Sequence, residues 1–266
     1  MKTPRLLLLG SLISAGALLS AVSAQARPDG TVTRSGSYST LHRGSGTFSQ
    51  SVTHSPGSTD RSTTWTNSSG GTGTHTASNT WNSSSGTGTH QSSTTYANGK
   101  TSSSQGDWTK TGTGDFSYTG THTGVNGQTT DVSKTVTNSD GTKTVDSTYT
   151  NPTTDKSSTV DKTITNSDGT KTVDTTATGP NGKTVTSDQT YDKTSNGWTE
   201  TGTVTGPNGG TSTDNKTVSF SNNGNGTVTR TATGSVTGPN GNVKQFGNSE
   251  TYTKTYTPSS TTSTND

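Results

Sequence analysis

Apolar residues in the second half of the chain recur at alternate positions and are separated by threonine and serine. A tight turn at residues 140–141 would place Val136 opposite Val145. The same register places Thr137 opposite Thr144 on the other face. A period of two is typical of β-strands, so the pattern predicts strands with one apolar face and one hydroxyl face.

This pattern is repeated along the chain. The segment 133–150 recurs almost unchanged as 161–178, which gives a repeat of about 28 residues. In the second copy, a turn at residues 168–169 pairs Ile164 with Val173. Because a one-residue slip would exchange the two faces, agreement between the two copies favours this register.

Asn-Gly and Asp-Gly dipeptides lie between the predicted strands and supply the positive φ angles of hairpin turns. The residues assigned to structural turns are Asp140, Gly141, Asp168, Gly169, Asn181, Gly182, Asn208, Gly209, Asn240 and Gly241. A three-residue loop at 180–182 predicts the pair Ala177 and Val185. A two-residue turn at 196–197 predicts the pair Lys193 and Glu200, with opposite charges.

These features predict an all-β fold, an extended repeat array of β-hairpins with about 28 residues per repeat. An open meander and a β-solenoid are both compatible with the repeat, and the hairpin signals favour the meander. A transmembrane barrel is disfavoured because the strands lack a continuous apolar band. The low hydrophobicity also leaves a disordered chain open, most of all in the N-terminal half.

The first residues have the pattern of a secretory signal peptide, assigned to residues 1–26. Lys2 and Arg5 precede an apolar run, and Ala24 and Ala26 frame a small-residue cleavage site. We therefore expect a secreted protein that is extracellular, at the cell surface or periplasmic.

The remaining chain divides into three segments by composition. Residues 27–118 form a Gly/Ser/Thr-rich, low-complexity region with short Trp- and His-containing repeats. Residues 119–257 form the β-hairpin repeat region. Residues 258–266 are expected to be a flexible tail.

Composition excludes several classes of protein. Of the 266 residues only 19% are hydrophobic and 14% charged, with no cysteine, whereas ordinary globular domains are about 45–50% apolar. The net charge of +2 is carried by the two basic residues of the predicted signal. The processed chain is then neutral and has no basic cluster, so neither nucleic-acid binding nor membrane insertion after signal removal is expected.

No arrangement of residues points to catalysis, a cofactor or a metal. The acidic residues recur as copies of a repeat, whereas an active site is normally unique. The Asn-Ser-Asp-Gly strings at 138–141 and 166–169 match only half of a calcium loop, with no late glutamate. The histidines of the Thr-Gly-Thr-His strings are unevenly spaced. We therefore expect a non-enzymatic protein without a cofactor.

The favoured function is a structural or adhesive element of the cell surface or extracellular matrix. It would self-associate through sheet edges and Thr/Ser faces. Trp65, Trp81 and Trp108 are candidate contacts for a polysaccharide, the first alternative partner. Ice is the second, because Thr-x-Thr runs such as 199–205 and 251–257 resemble the ice-binding face of β-solenoid antifreeze proteins.

Overall fold

The computed structural model describes residues 29–40 and 44–258. The predicted signal peptide, residues 1–26, lies outside the described residues, as do residues 259–266 of the predicted tail. Residues 41–43, which include His42, are also outside them. Among the described residues, no helix could span a membrane.

The described residues form 16 β-strands. They are β1 Gly30–Thr40, β2 Gly44–Ser55, β3 Ser58–Asn67, β4 Thr72–Asn82, β5 Thr87–Thr95, β6 Thr101–Lys110, β7 Phe116–Thr123, β8 Thr129–Ser139, β9 Thr142–Asn151, β10 Lys156–Ser167, β11 Thr170–Thr178, β12 Thr184–Lys193, β13 Gly197–Thr205, β14 Thr211–Asn222, β15 Thr227–Thr237 and β16 Val243–Pro258. Each strand pairs antiparallel with the next, and β1 pairs antiparallel with β16. The sheet is therefore a closed up-and-down barrel.

One face of the sheet is crowded, and it is the concave one. The buried apolar side chains on that face are Tyr118, Val132, Val136, Ile164, Val173, Val218, Ala232 and Tyr252. On the same face, the rings of Trp81 on β4 and Phe116 on β7 have centroids 5.6 Å apart. On a flat sheet β4 and β7 would be three strand spacings apart, about 14 Å. The much shorter distance between the two rings shows that side chains on this face converge. We call these inward positions the inner wall and the alternate positions the outer wall.

The barrel is too wide for opposite walls to pack against each other. Sixteen strands spaced about 4.8 Å apart and tilted by about 40° give a backbone diameter of about 30 Å. A path through directly paired residues, followed once around the barrel from β1, returns to β1 about 20 residues further along the strand. This displacement is the shear of the barrel, and it is consistent with the tilt of the strands. Among the described strands, Cα atoms approach within 8 Å only between hydrogen-bonded neighbours. The apolar residues therefore line a lumen instead of filling a core.

The prediction of an all-β array of hairpins is confirmed, but the prediction that this array is an open meander or a solenoid is wrong. Neither an extended meander nor a solenoid is present, because the ladder closes between β1 and β16. The steady register displacement and the natural twist of the strands curl the sheet on itself. The described part of 27–118 contains β1–β6 and the start of β7 in the same ladder, so it has the β-structure that composition left open.

The hairpin registers agree with the sequence at three turns. Val136 pairs with Val145, Ile164 with Val173, and Ala177 with Val185. The φ angles at the assigned turns are 48° at Asp140 and Asp168, 76° at Gly141, 85° at Gly169, 73° at Gly182, 78° at Gly209 and 76° at Gly241. Asn181, Asn208 and Asn240 immediately precede the last three of these glycines.

The predicted pair of Lys193 with Glu200 is wrong. The hairpin tip is shifted by one residue, to 195–196, since the Thr194 amide donates a hydrogen bond of 3.0 Å to the Gly197 carbonyl. Lys193 consequently pairs with Trp198. Glu200 instead forms an ion pair of 2.8 Å with Lys216 on β14.

The pairing of β1 with β16 can be tested with an engineered disulfide. Ser35 on β1 faces Thr253 on β16, and such opposite residues have Cα atoms about 4.5–5.5 Å apart, within reach of a disulfide. The variant Ser35→Cys/Thr253→Cys should form an intramolecular disulfide on oxidation, detected by mobility on a non-reducing gel and by mass spectrometry.

The matched control is Ser35→Cys/Thr217→Cys. Thr217 lies on the outer wall of β14, two strands beyond β16, so this variant should stay reduced within one chain. If the first variant forms only intermolecular crosslinks, or if both variants crosslink equally, the closed arrangement is refuted.

Candidate functional site: the two walls of the barrel

The outer wall is almost entirely polar and hydroxylated. Its strand positions hold threonine, serine, aspartate, asparagine, glutamine and glycine, with Val243 as the apolar exception. No lysine, arginine, histidine or aromatic residue occupies an outer position of the described strands. The runs 199–205 and 251–257 place their threonines on this wall.

Hydroxyl groups on the outer wall bond to one another across neighbouring strands. The pairs include Thr31 with Thr53 at 2.9 Å, Thr80 with Thr89 at 2.7 Å, Thr150 with Ser157 at 2.8 Å, Thr205 with Thr211 at 3.3 Å and Thr229 with Thr251 at 3.0 Å. A hydroxyl paired in this way keeps a hydrogen bond when water is displaced from it. Covering the outer wall with a binding partner therefore costs less desolvation free energy than covering unpaired hydroxyls.

Two sectors of the outer wall differ in charge; the remaining strands, β3–β7, carry the outer carboxylates Asp60 and Asp107. The acidic sector, on β8–β12, carries Asp131, Asp146, Asp161, Asp174, Asp188 and Asp192. Two of its pairs lie directly opposite each other, Asp146 with Asp161 and Asp174 with Asp188. The outer positions of β13–β16, β1 and β2 carry no charge. We call these six strands the uncharged sector.

Aromatic rings on the inner wall lie against glycines of the neighbouring strand. A methyl group added at Gly73 would be 2.3 Å from the Trp65 ring, and one at Gly106 would be 2.5 Å from the Tyr118 ring. Only glycine leaves room for a ring this close to the backbone. The Trp- and Gly-rich repeats of residues 27–118 therefore supply complementary parts of one inner wall.

The structure places the candidate sugar contacts Trp65, Trp81 and Trp108 on this inner wall, where all three are half-buried. Gly88 on β5 is paired with Trp81 on β4 at one side and with Trp108 on β6 at the other. Trp108 also contacts Tyr118, with ring centroids 4.8 Å apart. The indoles thus face the lumen and not the outer surface.

Each Thr-Gly-Thr-His string directs its glycine and its histidine inward and its threonines outward. His75 Nδ1 lies 2.9 Å from Thr94 Oγ1, and His90 Nδ1 lies 2.8 Å from Asn79 Oδ1. Burial, followed by the neighbouring Lys134 and His75, lowers the pKa of His90; burial and Arg61 lower that of His75. In residues 29–40 and 44–258, no three potential ligands are arranged for a metal ion.

Sequence reasoning missed the row of lysines on the inner wall of β8–β11. Lys134, Lys143, Lys162 and Lys171 lie on four successive strands. Lys134, Lys162 and Lys171 are each two residues from a buried valine or isoleucine, and Lys143 lies opposite the buried Ile164. Burial lowers the pKa of Lys134, and burial together with neighbouring lysines lowers the pKa of Lys143 and Lys162.

Inward carboxylates of the described strands occur only on β13–β16, at Glu200, Asp214 and Glu250. Glu200 accepts a hydrogen bond of 2.8 Å from Lys216 Nζ. Burial and the carboxylates of Glu200 and Asp214 raise the pKa of Tyr191 to about 12. This side of the inner wall therefore carries charges of both signs, whereas the described inward positions of β8–β11 carry lysines and no carboxylate.

The fold and its two walls define a closed antiparallel β-barrel with a hydroxylated exterior and an aromatic, basic lining. Comparisons of the chain with protein-family models, curated proteins and solved structures give no match. The chemistry of the two walls is therefore what indicates the function of the protein.

Ring-on-glycine packing can be tested at Gly73. In Gly73→Ala, the new methyl group would overlap the Trp65 ring, and overpacking of this kind costs about 1–3 kcal/mol. Chemical denaturation should show this loss, with a change in Trp65 emission. The neighbouring outer-wall variant Thr74→Ala should cost at most about 0.5 kcal/mol, and equal losses would contradict the packing described.

The histidines predict a loss of stability in mild acid. Because the pKa of His90 is lowered from 6.5 in the folded state, the unfolded chain takes up its proton first as the pH falls below 6.5. The melting temperature should therefore decline from pH 7 to pH 5, and His90→Gln should reduce that decline. An unchanged pH dependence in the variant would show that His90 does not contribute.

Proposed function

We propose that this protein is a secreted, non-enzymatic structural or adhesive element of the cell surface or extracellular matrix. The observation that carries the proposal is the outer wall, a continuous hydroxyl surface without basic, aromatic or clustered apolar side chains in the described strands. Such a surface suits many weak, repeated contacts better than one specific site. The proposal of secretion comes from the signal pattern of residues 1–26.

The sequence predicts self-association through the edges of the sheet. The described strands leave no free edge for this pairing, because β1 pairs with β16. We therefore assign association to the outer wall. Two acidic sectors would repel each other, whereas two uncharged sectors would not. The paired hydroxyls of Thr205 with Thr211 and Thr229 with Thr251 lie in the uncharged sector. Copies of the chain, or a neutral surface polysaccharide, would meet this sector.

Charges placed in the uncharged sector test this proposal. In Thr201→Asp/Thr231→Asp, the new carboxylates would face a neighbouring copy, and concentration-dependent assembly measured by analytical ultracentrifugation should be lost. Binding to cell-surface polysaccharide should fall in parallel in a pull-down assay.

The matched control adds the same charges to the acidic sector, as Thr148→Asp/Thr172→Asp. This variant should assemble as the parent protein does. A parent protein that stays monomeric at high concentration and binds neither cells nor glycans would refute the proposal, as would equal loss of assembly in both variants.

Ice binding is a second candidate, favoured by the threonine rows of the uncharged sector. Threonines face each other across strands in the pairs Thr203 with Thr213 and Thr217 with Thr233. Rows spaced about 4.8 Å across strands and about 6.7 Å along them form a regular lattice. Closure curves this lattice, so only a few adjacent strands lie near one plane. A thermal hysteresis assay of the parent protein decides between ice and the first proposal.

A further inference from the structure

The strands β7–β12 each place a lysine or tyrosine at a comparable position on the inner wall, in a row that begins and ends with tyrosine. Three further inward residues of these strands, Tyr149, Lys156 and Lys193, are not counted in this row. We call this row the lysine strip; its members are Tyr118, Lys134, Lys143, Lys162, Lys171 and Tyr191. At one end Lys134 Nζ lies 5.7 Å from the centre of the Tyr118 ring, and at the other Lys171 Nζ lies 5.4 Å from that of Tyr191.

The strands that carry the lysine strip have no acidic residue at their described inward positions. The described inward positions of β1–β12 hold no aspartate or glutamate. The nearest inward carboxylates in sequence, Glu200 and Asp214, are already engaged with Lys216 and Gln189. The aspartates of the same strands, such as Asp146 and Asp161, point to the outer wall on the far side of the sheet. A bound anion would place a counter-charge beside Lys134, Lys162 and Lys171.

The two walls differ in what they do to an approaching polyanion. The acidic sector of the outer wall repels it, and the lysine strip of the inner wall attracts it. A lumen about 20 Å wide remains once side chains are subtracted from the barrel diameter, and a single polymer chain fits this width. Binding would therefore be confined to the lumen.

We propose that the lysine strip binds a linear acidic polysaccharide. The lysine ammonium groups pair with its carboxylates, and the tyrosine rings at the two ends lie against its sugar rings. Amphipathic aromatic side chains with a polar tip suit the mixed surface of a sugar. The predicted export of the chain favours a polysaccharide over a nucleic acid. This site is on the inner wall, so it is independent of the association assigned to the outer wall.

The test compares two pairs of lysines that carry equal charge. Lys162→Gln/Lys171→Gln removes two lysines of the strip, and Lys100→Gln/Lys183→Gln removes two exposed lysines in hairpin loops. The probe is a fluorescently labelled galacturonate oligosaccharide, followed by anisotropy at low salt. Loss of two ion pairs at about 0.5–1 kcal/mol each should weaken binding about tenfold in the strip variant. The loop variant should change it less than about twofold.

Three results would overturn the proposal. The first is that the parent protein does not bind the galacturonate oligosaccharide, or binds its methyl-esterified form equally well. The second is an equal loss of affinity in both lysine variants, which would indicate only net charge. The third is tighter binding of single-stranded DNA of the same charge, which would assign the strip to nucleic acid. Circular dichroism and thermal melting of each variant confirm that the barrel is intact, and assembly through the outer wall is scored separately.

Discussion

Closure of the backbone hydrogen-bond ladder between β1 and β16 is the constraint on which the rest of the structure depends. A chain that is 19% hydrophobic cannot fill a globular core large enough to offset the entropy of ordering its backbone. Closure gives every described strand a partner on both sides and removes the exposed edges. The side chains then need only to cover a curved surface, which Val, Tyr and Trp can do sparsely.

Strict alternation along the closed strands separates two chemical surfaces. Because adjacent residues point to opposite faces, Thr144 and Asp146 face outward while Lys143 and Val145 face inward. A register slip of one residue in a single hairpin would move its lysines to the outside and its threonines to the inside. The tight turns, such as the one at residues 140–141, therefore determine the composition of both walls as well as the path of the chain.

Local features of the fold were predictable from the sequence, and distant ones were not. Two-residue turns fix the pairing of Val136 with Val145 because the partners are close in sequence. Nothing in the sequence near β1 points to its pairing with β16. Likewise Trp65 and Gly73 look like separate low-complexity features until the strands pair. The lysine strip was within reach, since Lys143 and Val145 are two residues apart and must share a face.

The charge of the chain illustrates why composition alone misjudged the candidate sites. Basic and acidic residues nearly cancel, with 19 against 17, and a neutral chain suggests no electrostatic partner. The fold separates these charges radially, with Lys162 and Lys171 on the inner wall of strands whose outer wall carries Asp161 and Asp174. Each surface therefore acts with its own sign, because interactions at contact distance depend on nearby charges and distant ones are screened. Net neutrality and local selectivity are compatible in a barrel built this way.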